Sequence, residues 1–208
     1  MFPGTVWTNI RRAGEDDREA LERFASEYRP PVLRFLRRRG FPAADAEDLC
    51  QEVFLRLIRG KVLSRAEPSR GRFRNLLLTV ATRVVQDNAR RRRATVPLEE
   101  EPAGAAESDF DGEWALELLE RAFAHLRKEE SPYYEVLRGH LEGRAQDRNR
   151  LWIARGKLLA RIRHEVALTC ESPEQVEEEM AHLGPYLRPR AGGEKGSDAP
   201  GPAAKKKA

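Results

Sequence analysis

The arginine-rich end of one apolar segment is the clearest chemical signal in this sequence. The segment FRNLLLTVATRVVQDNARRRRA, residues 73–94, carries apolar residues at helical spacing and ends in four consecutive arginines. Guanidinium groups bind phosphate oxygens and hold a nucleic-acid backbone without reading its bases. Arginines also stabilise the negative end of a helix dipole, but that small effect does not require four of them. We therefore interpret Arg90–Arg93 as part of a nucleic-acid-binding surface.

Further arginines lie just ahead of this run and extend the same surface. They come from the basic loop before the segment and from the segment itself, and all offer donors that suit phosphate oxygens. The arginines of this candidate surface are Arg65, Arg70, Arg72, Arg74, Arg83, Arg90, Arg91, Arg92 and Arg93.

A second polar set lies in the segment AEDLCQEVFLRLI, residues 46–58. Asp48, Gln51 and Glu52 are three and four positions apart, so a helix places them on one face, opposite its apolar stripe. Such a face is usually only solvated. Beside a basic helix it also fits an acidic surface for a protein partner, and the spacing leaves both interpretations open.

The histidines do not form a catalytic or metal-binding pattern. They occur at positions 125, 140, 164 and 182, and no two have the spacing of metal ligands. The glycine- and lysine-containing segment GGEKGS lacks the full phosphate-loop pattern and its preceding strand. We therefore expect no enzymatic activity, no metal, no cofactor and no small-molecule substrate.

The pattern of apolar residues predicts an all-α fold. Apolar positions recur at helical spacing, and Pro, Gly and Ser-Pro pairs mark the ends of the segments. Pro30 and Pro31 are expected to stop or kink the first helix, and Gly40 to end the second. The predicted helices cover residues 16–28, 32–39, 45–59, 73–94, 112–129, 132–141, 148–169 and 173–183.

The charges are unevenly distributed and suggest two small helical modules. Residues 1–95 hold 21 Lys and Arg against 12 Asp and Glu, whereas residues 96–113 hold seven acidic residues and no basic one. We interpret 1–95 as the first module, 96–113 as an acidic flexible linker and 114–187 as the second module; an ordinary solvated loop explains the linker composition equally well. Residues 188–208 lack an apolar pattern and are predicted to be disordered.

The remaining composition favours a cytoplasmic protein. No apolar run reaches the ~20 residues that span a bilayer, and the first residues lack the pattern of a secretory signal. Cys50 and Cys170 both fall within helical patterns, and we interpret them as small buried hydrophobic residues.

In order and spacing, three blocks resemble conserved region two of the bacterial RNA polymerase sigma factors, in particular the short extracytoplasmic-function group. The blocks are YRPPVLRFLRRRG, DAEDLCQEVFLRLI and GRFRNLLLTVATRVVQDNARRRRA. The later segment ARGKLLARIRHEVALTCESPEQVEEEMAHL resembles the end of region four in the form common in planctomycete-like bacteria.

This resemblance implies two partners, core RNA polymerase and promoter DNA, and it allows an anti-sigma factor as a third. The face with Asp48, Gln51 and Glu52 would dock on the clamp helices of the largest polymerase subunit. The loop 64–72, with Arg74, Asn75, Thr79 and Arg83, would meet the melted minus-ten element. The four consecutive arginines would hold backbone phosphate.

The second half of the sequence departs from the family. Region four normally reads the minus-thirty-five element with a helix-turn-helix, but only seven residues separate Gly143 from Leu151. A first helix of ~8 residues and its turn do not fit there. The helix that follows keeps basic residues, which either form a second DNA contact or are the solvated side of a packing helix; they are Arg148, Arg150, Arg155 and Lys157.

Three functions fit these observations. The first is a sigma factor-like initiation protein that recognises mainly the minus-ten element. The second is a polymerase-binding regulator or decoy without promoter specificity, and the third is a non-specific helical DNA-binding protein.

Overall fold

The computed structural model describes residues 18–59, 62, 72–93 and 103–187. Within these ranges the chain is α-helical and contains no strand, so the predicted fold class is confirmed. The seven helices of the described ranges are α1 (Arg18–Arg38), α2 (Ala43–Arg59), α3 (Phe73–Arg93), α4 (Ala103–Lys128), α5 (Pro132–Leu141), α6 (Arg148–Leu168) and α7 (Pro173–Leu187).

Helix α1 continues through Pro30 and Pro31, so the predicted end near Tyr28 is wrong. A proline inside a helix lacks the N–H that would bond to the carbonyl four residues earlier. Pro31 therefore leaves the carbonyl of Glu27 without its helical donor. The guanidinium of Arg121, in α4, donates a hydrogen bond to that carbonyl oxygen. A tertiary contact thus replaces the bond that the proline removes.

The end of α1 follows the prediction from Gly40. Gly40 has φ 84°, a left-handed conformation that glycine adopts at little cost. Its N–H donates to the carbonyl of Arg37 at 3.0 Å, and the N–H of Phe41 donates to the carbonyl of Leu36 at 3.3 Å. These bonds satisfy the last carbonyls of α1 and turn the chain into α2.

Helix α4 occupies much of the segment that we predicted to be a flexible linker. It begins at Ala103, so residues 103–113 are helical and the linker prediction is wrong for them. The reason is apolar burial, because Phe110 and Trp114 are both buried against aromatic rings of α1 and α3. Residues 96–102, and the predicted disordered tail 188–208, lie outside the described part of the chain.

A single aromatic cluster joins the N-terminal helices to α4. The rings of Tyr28 and Trp114 are stacked with centroids 5.8 Å apart, and those of Tyr28 and Phe73 meet edge to face at 4.7 Å. Phe35 contacts Phe110 edge to face at 5.4 Å. The same buried core continues to α6 and α7 through Ile162, Val166, Val176 and Leu183. All of the described helices except α5 therefore contribute to one core, and the predicted division into two modules separated by a flexible linker is corrected.

The last three helices begin close to the predicted positions. Asp147 caps α6 by accepting a hydrogen bond from the N–H of Arg150 at 2.8 Å. Ser172 accepts from the N–H of Gln175 at 3.3 Å, as expected for the predicted capping pattern at the start of α7. A smaller apolar cluster around Leu126, Leu137 and Ala154 holds α5 between α4 and α6.

Both cysteines are buried free thiols, as predicted. Burial raises the pKa of Cys50 to about 11 and also raises the pKa of Cys170. Among the described residues, none of the helices has the length and hydropathy needed to cross a membrane.

Candidate nucleic-acid and polymerase interface

One exposed stripe of α3 carries most of the described candidate DNA-binding side chains. Asn75, Thr79, Arg83 and Arg90 are exposed at intervals of four, four and seven residues, so they lie along one face. At about 1.5 Å per residue the stripe is roughly 22 Å long. The opposite face is buried in the core through Phe73, Leu77, Val80, Ala81 and Val84, which fixes the rotation of the helix and keeps the polar stripe in solvent.

Gln86 belongs to the same stripe but was not among the predicted site residues. It is exposed and lies one turn after Arg83 and one turn before Arg90. A glutamine amide both donates and accepts hydrogen bonds, which suits a base edge or a sugar-phosphate oxygen. Its helical spacing from Arg83 was the signal in the sequence that could have identified it.

The first two of the four arginines at the C-terminal end of α3 are accessible. Arg90 and Arg91 are exposed, and Arg90 Nη1 lies 3.2 Å from Asp87 Oδ1. Arg92 and Arg93 belong to the helix, but their side chains, together with Arg65 and Arg70 of the preceding loop, lie outside the described part. The arginine end therefore remains a candidate phosphate contact.

Arg74 does not belong to the exposed stripe, and its predicted DNA contact is corrected. Its side chain is 2% exposed. Nε donates to Glu179 Oε1 at 2.9 Å, and Nη1 donates to Asp111. Asp111 in turn accepts a hydrogen bond from His182, whose Nε2 is 2.6 Å away. Arg74 thus neutralises two buried carboxylates and ties α3 to α4 and α7.

Arg72 occupies an intermediate position at the start of α3. Its side chain is 26% exposed, and its Nη2 donates to Glu178 Oε2 at 3.2 Å. Its Nε lies 3.0 Å from Glu179 Oε2. Arg72 is therefore reachable from solvent, but its guanidinium already lies between two carboxylates of α7.

The predicted partner face of α2 is accessible. Asp48 and Gln51 are exposed, and Glu52 is partly exposed on the same side. Glu52 Oε1 accepts from Arg56 Nε at 2.9 Å, and Arg56 Nη1 donates to Asp87 Oδ2 at 2.6 Å. This chain of charges links the candidate partner face of α2 to α3, the helix with the candidate DNA-binding stripe.

The bond from Arg56 also sets the charge state of Asp87. It lowers the pKa of the Asp87 carboxyl below its ordinary value, and the neighbouring Arg90 and Arg91 act in the same direction. Asp87 is therefore ionised near neutral pH and holds Arg56 in place between the two helices.

The basic residues of α6 form a separate exposed region. Arg148, Arg150, Arg155 and Lys157 are all exposed, and Arg155 Nη2 lies 3.0 Å from His140 Nε2. Trp152, which is 77% exposed, lies between them. The helix is accessible along this side, so a phosphate contact is sterically open.

His125, His140 and His182 each lie within 3.3 Å of a charged side chain. His182 bonds to Asp111, and His125 Nε2 lies 3.3 Å from Glu165 Oε1. Burial, followed by the nearby Arg74, lowers the pKa of His182, so its imidazole is neutral and donates through Nε2. No cluster of three or more metal-ligating side chains occurs among the described residues.

One protein-family model covers both the polar face of α2 and the exposed stripe of α3. Residues 24–95 match the family model described as sigma-70 region 2. In sigma factors this region binds core RNA polymerase and recognises the minus-ten promoter element, and its family consists of non-enzymatic transcription factors. The comparisons with curated proteins and with solved structures found no match. The match supports a relationship of this chain to the sigma factors.

Proposed function

We propose that this chain is a sigma factor-like transcription initiation protein of the extracytoplasmic-function group. It recruits core RNA polymerase to promoter DNA in the cytoplasm and recognises mainly the minus-ten element. The observation that carries the proposal is the position of the region 2 match, which contains both the polar face of α2 and the exposed stripe of α3.

The geometry supports separate binding roles for the polar face of α2 and the exposed stripe of α3. Asp48, Gln51 and Glu52 form the polymerase-binding face, where polar side chains remain accessible for hydrogen bonds and ion pairs. Asn75, Thr79 and Arg83 provide base and backbone contacts, followed by phosphate contacts from the arginine end. The Glu52–Arg56–Asp87 chain couples the orientations of α2 and α3.

We further infer that the C-terminal helices are a shortened region four. Only residues 142–147 connect α5 to α6, so no further helix lies between them, and the ten-residue α5 is the helix that directly precedes α6. The exposed basic side chains of α6 suit contact with backbone phosphate, which carries little choice of sequence.

One observation favours the alternative of a polymerase-binding regulator or decoy. Two of the predicted DNA-binding arginines, Arg72 and Arg74, are engaged by carboxylates of the same chain. A chain with these arginines occupied and a shortened region four could bind polymerase without directing it to a promoter.

Run-off transcription with purified core polymerase distinguishes these functions. An initiation factor gives a discrete transcript from a promoter template, and scrambling the minus-ten element abolishes it while scrambling the upstream element changes it little. A decoy binds polymerase but yields no transcript and inhibits a competing sigma factor. A non-specific DNA-binding protein does not bind the polymerase.

A further inference from the structure

Helix α7 brings two carboxylates to the start of the DNA-facing helix. Glu178 Oε2 lies 3.2 Å from Arg72 Nη2, and Glu179 Oε2 lies 3.0 Å from Arg72 Nε. Arg72 directly precedes α3, next to the exposed Asn75 that begins the candidate DNA stripe. The C-terminal part of the chain therefore reaches the surface that would receive DNA.

The two carboxylates differ in burial. Glu179 is 4% exposed and bonds to the buried Arg74 at 2.9 Å, so it is part of a fixed core contact. Glu178 is 69% exposed and pairs with Arg72 alone among the described contacts. The buried Glu179–Arg74 pair positions α7, while the exposed Glu178–Arg72 pair can open to solvent.

The carboxylate of Glu178 can compete with a DNA phosphate for the guanidinium of Arg72. A guanidinium binds a carboxylate and a phosphate with the same planar arrangement of N–H donors. While Glu178 holds Nη2, an incoming phosphate loses this donor and also meets a negative charge beside it. An ion pair with an exposed partner is weak, so DNA can displace it.

We propose that α7 is an intramolecular competitor of DNA for Arg72, with Glu178 as the competing group. This inference rests on the proposed function, because it requires α3 to contact DNA. The competition weakens DNA binding but does not prevent it. The free chain binds DNA less tightly than a chain in which Arg72 is not paired with Glu178, and a partner that moves Glu178 away from Arg72 strengthens DNA binding. Arg72 thereby links the C-terminal helix to the promoter-binding face.

The test uses the full chain and a fluorescently labelled single-stranded DNA oligonucleotide of mixed sequence, with affinity measured by anisotropy over a range of salt concentrations. The test variant is Glu178→Gln. The matched control is Glu177→Gln. It removes the same charge from the neighbouring residue, which pairs with Arg163 and not with Arg72. Both substitutions are also made in an Arg72→Ala background.

We expect Glu178→Gln to tighten binding by roughly two- to fivefold, the range that a weak exposed pair allows. Glu177→Gln should change it much less, and Glu178→Gln should have no effect in the Arg72→Ala background. Equal effects of the two glutamine variants, or an effect that persists without Arg72, would overturn the competition and indicate a general charge effect.

The proposed function has its own readout in the same assay. Arg83→Ala and Arg90→Ala should weaken binding whether or not Glu178 competes. If these variants bind as the wild type does, or if neither the wild type nor Glu178→Gln binds the oligonucleotide at low salt, the DNA-binding role of α3 fails, and the competition fails with it. If they weaken binding and Glu178→Gln has no effect, only the competition is rejected.

Discussion

Replacing Arg74 by methionine tests whether this residue is a structural cation or a DNA contact. The substitution keeps an unbranched side chain of similar length but removes the charge that neutralises Asp111 and Glu179. Both carboxylates are almost fully buried, at 2% and 4% exposure. Without Arg74, Asp111 would keep only its bond to His182, and Glu179 only its contact with Arg72, among the described contacts.

The expected loss of stability follows from this burial. Removing one partner of a buried ion pair typically costs about 3–5 kcal/mol, because the remaining charge keeps its desolvation penalty. The free energy of unfolding of a small protein is only about 5–15 kcal/mol, so this is a large fraction. For a chain of this size the melting temperature should fall by roughly 6–20 °C.

Urea unfolding followed by far-ultraviolet circular dichroism measures the effect. Arg83→Met, an exposed position on the same helix, is the matched control and should change stability by less than about 0.5 kcal/mol. The triple variant Arg74→Met, Asp111→Asn, Glu179→Gln should recover most of the loss, because it also removes the two stranded charges.

Two outcomes would refute this reasoning. One is a loss below about 1 kcal/mol for Arg74→Met, a cost too small for the loss of a buried ion pair. The other is that Arg74→Met keeps normal stability but binds DNA more weakly, which would show that Arg74 contacts DNA.

Three further predictions address the partner face and the helix contacts. Asp48→Ala combined with Glu52→Ala should weaken binding to core polymerase by about 1 kcal/mol or more without loss of helicity; unchanged affinity in a pull-down titration would contradict the assigned face. Arg121→Met should cost about 1.5–3 kcal/mol in urea unfolding, because the carbonyl of Glu27 loses a charged donor and Glu117 loses its ion pair with Arg121; unchanged stability would contradict the role of both contacts. Asp87→Asn should destabilise the protein near neutral pH, but the difference from the wild type should shrink as the pH falls. The pKa of Asp87 is lowered in the folded state, so its contribution is present above its ordinary pKa of about 4 and is lost as the pH falls through the folded value. A difference that is constant from neutral to acid pH would contradict the ion pair.

Local sequence information located most of the helices and their accessible faces, although not the end of α1 or the start of α4. The spacing of Asp48, Gln51 and Glu52 against their apolar stripe predicted an accessible polar side of α2, and it is accessible. Gly40 and the Ser-Pro pairs marked helix ends because their backbone preferences act within a few residues. The recurrence of apolar residues in α3 likewise identified which side is buried.

Tertiary structure decided which charges are available and where helices continue. Arg74 has the same residue type as Arg83, but partners that lie 37 and 105 residues away in the chain make it a buried cation. Pro31 of α1 is accommodated because Arg121 supplies a donor from another helix to the carbonyl of Glu27. The acidic segment before Trp114 becomes helical because Phe110 enters a core built by distant residues. In each case, the sequence supplied the residue types and their local periodicity, but long-range packing determined whether a charge is neutralised inside the protein or left for a partner.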